Sequence, residues 1–306
     1  FFTKKVLKIN DDMPTPAHAK NDGQDYVPTN KWVAFGHHFA AIAAAGPLVG
    51  PILAAQFGYL PGYLWLLIGA VIGGAVHDAV VLFASMMKGG KSLSEVMREE
   101  LGPVVGFCTG LAMLFIITIT MAGLSMVILG ALAENPWGTF AVAMTIPIAM
   151  LMGLITKFTG NLKLSTLLGV GLLIAAVFYG PNIQGTWLGD VLTLDRETLS
   201  LLLPIYAFFA AALPVWFLLA PRDYLSSFMK IGVFIALIIG VFIINPTIQF
   251  PAIIPDFLSG GGPIVAGPVW PFVSITIACG AISGFHAFVG SGTTPKMLNR
   301  WEDIRV

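Results

Sequence analysis

The sequence predicts an all-α polytopic membrane protein, a helical bundle with discontinuous helices, and three observations predict it. Eight long apolar segments fall at 32–57, 61–87, 104–132, 137–156, 164–180, 199–220, 224–244 and 269–290. Basic residues crowd alternate gaps between them. Two segments of opposite sense, the first and the eighth, are interrupted by glycine, proline and hydroxyl residues.

Each segment is long enough to cross a hydrocarbon core of about 30 Å at roughly 1.5 Å per helical residue. Lys4, Lys5, Lys8, Lys20 and Lys31 precede the first, and Lys88, Lys91 and Arg98 follow the second. Lys157 and Lys163 follow the fourth, Arg222 the sixth, and Lys296, Arg300 and Arg305 the eighth. Fourteen of the sixteen basic residues therefore share one side; Arg196 stands alone on the other, and Lys230 lies inside the seventh segment. The positive-inside rule places that side in the cytoplasm and requires an even number of crossings. Residues 1–31, rich in Pro, Asp and Asn, are expected to form a cytoplasmic N-terminal segment, and 32–306 a transmembrane domain.

Hydrophobic residues make up 57% of the chain and charged residues 10%, against roughly 25% charged in a soluble domain. No soluble domain can be separated out. Cys108 and Cys279 both fall in apolar segments, which argues against a disulfide or a thiolate metal site. Phe1-Phe2-Thr3-Lys4-Lys5 does not begin a signal peptide, and the abrupt Ile304-Arg305-Val306 is expected to mark a fragment of a longer protein. There is no phosphate-binding glycine loop, so uphill movement of a solute would not be driven by nucleotide hydrolysis on this chain. No cofactor, metal or nucleic-acid partner is expected; the expected partners are the lipid bilayer, protons and a small solute.

The first segment contains Gly46-Pro47-Leu48-Val49-Gly50-Pro51. Pro47 and Pro51 lack a backbone N–H, and Gly46 and Gly50 tolerate non-helical dihedrals. Backbone groups freed inside a bilayer need protein, water or a ligand as partner. Such a break either binds a polar solute or is a kink that only shapes packing. The eighth segment reads Cys279-Gly280-Ala281-Ile282-Ser283-Gly284-Phe285-His286, then Ser291-Gly292-Thr293-Thr294-Pro295-Lys296. The two broken segments run in opposite directions, the pattern of inverted-repeat secondary transporters that hold solute near mid-membrane. Gly46, Pro47, Gly50, Ser283 and Gly284 are thus the candidate substrate-binding residues.

Asp78 lies ten residues before Lys88, which on a straight helix is about 15 Å deep. A charged aspartate there costs roughly 2.5–3.5 kcal/mol on insertion scales. Beside His77 it can hold an exchangeable proton, or the pair can serve only to fix helix packing. His37 and His38 lie in the inner half of the first segment, about 100° apart around the helix, so at most one faces the break. Asp78, His38, His286 and His37 are the candidate proton-coupling residues. The same side chains permit a His/Asp metal site, although no H-E-x-x-H pattern is present. Ala220-Pro221-Arg222-Asp223-Tyr224 is expected to form a tight turn in which Asp223 caps the next helix and Arg222 anchors the orientation. Several tryptophans, among them Trp65, Trp137, Trp187, Trp216 and Trp270, sit near segment ends as interfacial belts do.

Several runs resemble the carbon starvation protein A (CstA) family: Asn21-Asp22-Gly23-Gln24-Asp25-Tyr26-Val27-Pro28-Thr29, Phe35-Gly36-His37-His38-Phe39-Ala40-Ala41-Ile42, and Gly46 to Pro51. So do Leu219 to Leu225, Ser283 to His286 and Ser291 to Lys296. The resemblance implies bacterial inner-membrane carriers linked to peptide uptake and to proton-coupled pyruvate uptake during carbon limitation. It also implies a LeuT-like inverted repeat with unwound first and sixth core helices, as in amino acid–polyamine–organocation (APC) carriers. It departs at His77, where the family carries Gln, which leaves Asp78 as the shared candidate.

Three functions compete. The first is a symporter taking in pyruvate or short peptides with protons. The second is a solute-sensing membrane protein of the same fold, which binds without accumulating. The third is an intramembrane metal-dependent enzyme built on the histidines; the transporter reading makes the chain no enzyme.

Overall fold

The computed structural model describes residues 13–44 and 46–305, together with Leu7 and Ile9. The expectations resting on Phe1 to Lys5, Lys8 and Val306 lie outside the described residues, as does Ala45 in the first break. The described residues are helical with no strand, apart from one isolated parallel bridge between Thr29 and Leu298.

The short helix α1 (Pro16–Ala19) opens a segment that lies along one face of the molecule. There Val27 N–H donates to Lys296 O and Thr29 N–H to Met297 O. The Lys20 ammonium donates to Gly89 O, which brings the 88–92 loop to the same face. We refer to this side as the basic face.

Asn30 caps α2 (Lys31–Ile42) by accepting from Trp32 N–H. α2 ends at Ala43 (φ −81°, ψ 53°), and α3 (Gly46–Ala54) restarts with Pro47 in its first turn. A proline there loses nothing, because that N–H has no intrahelical acceptor. The break therefore falls just before Gly46, and Pro51 is carried inside α3. α4 (Tyr59–Ile68) passes through a π-helical stretch, Gly69–Ala75, into α5 (Val76–Met87). The basic-face helix α6 (Leu93–Leu101) starts with a Ser92/Glu95 capping box.

Three long apolar helices follow: α7 (Pro103–Leu132), α8 (Pro136–Thr159) and α9 (Leu162–Tyr179). α8 and α9 form a tight hairpin, closed by left-handed Gly160 (φ 65°) and by Asn161, which accepts from Leu164 N–H. After α10 (Trp187–Leu192), α11 (Arg196–Ala212) begins under the cap of Asp195.

The sixth apolar segment, expected over 199–220, is not one span. α11 has 17 residues and stops at Leu213, whose ψ of 152° is extended. Leu213 precedes Pro214, and proline disfavours helical dihedrals in the residue before it. An irregular turn follows, and α12 (Leu219–Ile244) begins five residues ahead of the expected 224. Among the described residues seven helices, not eight, are long and apolar enough to cross a membrane. α11 still carries the chain across the bundle. At its start Leu194 O accepts from Glu134 N–H, and beyond its end the Lys157 ammonium lies 3.6 Å from the Trp216 ring centre.

The expected 220–224 turn is likewise corrected: these residues form the first turns of α12, where Pro221 is tolerated because early helical N–H groups go unpaired. Asp223 caps no helix.

A further short helix, α13 (Pro255–Leu258), precedes the second discontinuous pair, α14 (Val269–Ala281) and α15 (Gly284–Gly292). Ile282 (φ −144°, ψ 81°) breaks them, and Ser283 Oγ accepts from Phe285 N–H at 3.1 Å to cap α15.

The two broken segments pack against each other, antiparallel. An added Cβ on Gly46 would meet Cys279, and one on Gly50 would lie 2.6 Å from Thr276 O. On the inner side α2 meets the end of α15 through His37 and Thr293. α12 runs parallel to α2, Tyr224 and Ser227 lying against Gly36 and Lys230 reaching Ala40. The largest buried cluster fills the basic-face half, with Leu82, Met86, Met152, Leu225, Met297 and Trp301 among its members. Large apolar side chains such as Phe107, Leu114, Phe115 and Phe242 stay exposed on the outer faces, as a lipid-facing surface requires. The chain is a multi-pass membrane protein.

Candidate functional site

Asp78 stands in the first turn of α5, immediately after the π-helical stretch. A π turn shifts the phase of the helix, and such turns cluster at functional sites. Here glycine permits it: a Cβ on Gly74 would strike Ala281 O, so only glycine lets this backbone reach the α14–α15 break. The shift sets Asp78 beside α15.

Its carboxylate accepts two imidazoles. His77 Nδ1–H donates to Oδ1 and His286 Nδ1–H to Oδ2, each at 3.0 Å. The Asp78 side chain is 18% exposed and that of His286 9%. His286 Nε2 is buried with no hydrogen-bond partner. His38 Nδ1 and Thr294 Oγ1 share a hydrogen bond of 2.8 Å. A cavity of about 270 Å³ extends from Lys31 and Arg305 on the basic face to His38 and Asp78. Water entering by that route can exchange protons with the cluster.

His37 belongs to a second cluster on the other side of α2. Its Nε2 lies 3.2 Å from Thr293 Oγ1, and its Nδ1 lies 2.7 Å from Asp223 Oδ2. The latter contact has the distance of an ion pair without the N–H direction of a hydrogen bond, since Nδ1 otherwise stands unpartnered. Two turns along α12, the Lys230 ammonium donates to Ala40 O at 2.6 Å. That carbonyl sits in the last turn of α2, where the break removes its intrahelical donor. A cation there also suits the negative end of the helix dipole.

The structure brings Asp78 and His38 to the lining of one cavity, with His286 bonded to Asp78 behind it, and sets His37 apart from them. Gly46 and Gly50 serve the close approach of α3 to α14, Pro47 lies over Gly280, and Ser283 is committed to its cap. Gly284 is exposed. Among the described residues, no three His, Cys, Asp or Glu side chains converge so as to hold a metal ion.

The whole chain, residues 1–306, matches the family described as Carbon starvation protein CstA. This chain belongs to the CstA family. It is 77% identical over 305 residues to a protein named Peptide transporter CstA from Bacillus subtilis, covering 100% of this chain and 51% of that protein. It is 48% identical over 308 residues to one named Pyruvate/proton symporter BtsT from Escherichia coli, covering 100% of this chain and 43% of that protein. A Peptide transporter CstA of Escherichia coli is 49% identical over 304 residues, 97% of this chain and 43% of that protein. The chain thus spans about half the length, or less, of these curated relatives. No solved structure matches it.

The runs that carry the CstA resemblance lie together in space. The 21–29 run pairs with Lys296 and Met297, Gly36 and His37 meet the start of α12, and Gly46 meets Cys279. Sequence reasoning missed three features of this assembly. Asp223 had a simpler role as a cap. Thr293 and Thr294 carried no charge to draw notice. Lys230, a lysine inside an apolar segment, was itself the signal that it has a partner there.

Proposed function

We propose that this chain forms part of a CstA-family secondary carrier in the bacterial inner membrane, which takes up pyruvate or short peptides with protons during carbon starvation, and is no enzyme. One observation carries the reading: two antiparallel discontinuous helices packed against each other, with an Asp78–His286 pair tying the second break to α5. A LeuT/APC-like inverted repeat is the architecture that uses such a pair. The basic-residue asymmetry supports a cytoplasmic basic face. The names of the relatives supply the solutes.

At the breaks, the N-termini of α3 and α15 offer backbone N–H groups and positive dipole ends to an anionic solute, through Gly46, Ser283 and Gly284, while Pro47 and Gly50 shape the wall of the same site. Asp78 with His286 takes the coupling proton, His38 stands between it and the basic-face cavity, and His37 responds on the other side of α2. Alternating access follows from movement of the half-helices around that point.

The test is uptake by the full-length protein in liposomes under an inward proton gradient, with labelled pyruvate and a labelled dipeptide. Wild type accumulates one of them, and a protonophore abolishes it. Asp78→Asn falls to the protonophore-treated level. Solute binding without accumulation would instead support the sensing protein, and accumulation unchanged in Asp78→Asn would remove that residue from coupling.

A further inference from the structure

The two nitrogens of His286 have different surroundings. Nδ1–H is held by Asp78 Oδ2 at 3.0 Å, while Nε2 is buried without a partner. The residue itself is 7% exposed. A buried polar atom with no partner is uncommon and costly. His286 is also the third residue of α15, whose positive end opens at the break with exposed Gly284 on the same turn. The open end of α15 suits an anion, and on its first turn an imidazole nitrogen stands without a partner.

With Asp78 ionised and accepting from Nδ1–H, neutral His286 presents only a lone pair at Nε2. A carboxylate brought to that lone pair finds no donor and adds a second negative charge beside Asp78. In a low-dielectric setting such like-charge proximity is strongly unfavourable. One proton added to the Nε2 lone pair reverses both terms. The imidazolium donates from both nitrogens, one to Asp78 and the other to the incoming anion.

Resting on the carrier reading above, we propose that proton and substrate meet on His286: Nε2 takes the coupling proton and then donates it as a hydrogen bond to the substrate's carboxylate. The ligand class is a small monocarboxylate, or the C-terminal carboxylate of a peptide. Proton and carboxylate each strengthen the binding of the other, because that reciprocity is required by linkage. Binding the anion without the proton is disfavoured, and that is what prevents a leak. The ionisable groups on the elements packed against α15 are Asp78 and His77 on α5 and Lys31, His37 and His38 on α2. Beyond these are Lys296 after α15, Glu95, Arg98, Glu99 and Glu100 on α6, and Cys108 on α7. Of these only Asp78 bonds His286.

The test reads protons and ligand together, with the full-length protein in detergent and weak buffer near neutral pH. Adding pyruvate to wild type takes up about one proton per molecule bound, and affinity rises about tenfold for each unit fall in pH. In His286→Gln, whose amide keeps a donor without a titrating nitrogen, pyruvate still binds and exchanges, with no proton uptake and the same affinity across pH. Proton uptake persisting in His286→Gln overturns the proposal. Pyruvamide, which lacks the carboxylate, guards against a misfolded variant: on wild type it should take up no proton, and uptake equal to that with pyruvate overturns the proposal as well. If wild type neither exchanges nor accumulates pyruvate or a dipeptide, the carrier reading fails, and this inference falls with it.

Discussion

Asp22 illustrates how one carboxylate orders the basic face. Its Oδ1 accepts from the backbone N–H groups of Gln24, Asp25 and Tyr26, each at 2.9 Å. These donors, that of Gln24 foremost, hold the carboxyl below its ordinary range. A carboxyl depressed by folding adds stability above its unfolded value and loses it as pH falls through the folded one. Hydrogen-exchange protection of Val27 and Thr29 is therefore expected to hold at neutral pH and to fall below about pH 4. In Asp22→Asn that acid dependence should vanish. Ser283 makes a different local contribution, as the cap of α15. Ser283→Ala should lower stability by about 1 kcal/mol, read by denaturant titration in detergent.

Among the elements, the contacts that matter join helices at their breaks. Gly74 brings the π-helical stretch against Ala281 O, and Gly50 brings α3 against Thr276 O. Gly74→Val should destabilise the protein by about 1–3 kcal/mol through overpacking, and a thermal melt within error of wild type would sink that account. Lys230 holds the last turn of α2 through Ala40 O. Lys230→Met leaves that carbonyl unpaired, at a cost of about 1–3 kcal/mol. Its signature should be faster hydrogen exchange confined to residues 39–44.

The whole molecule has one basic face, where the N-terminal segment, the 88–102 region and the end of α15 meet. The loop at 180–186 lies beyond the other end of α9. Exposed single cysteines placed by Gln24→Cys and Asn182→Cys, with Cys108 and Cys279 replaced by serine, should label from opposite sides of intact cells. Labelling of both from the same side would overturn the alternation of crossings.

Seven of the apolar segments were legible in the sequence, because apolar length is a local, additive property. Both broken helices were legible for the same reason: proline and glycine act on their own backbone. The sixth segment shows the limit, since apolar composition does not register that Pro214 ends a helix and that the next begins before Pro221. Asp78 was legible as a charge in the membrane, and Lys230 should have been. What only the tertiary structure decided is who meets whom. His286 with Asp78, His37 with Asp223, and Lys230 with Ala40 join residues separated by 208, 186 and 190 positions. Such pairings depend on helix phase, which a single π turn shifts, and on close approaches that glycine allows but does not dictate.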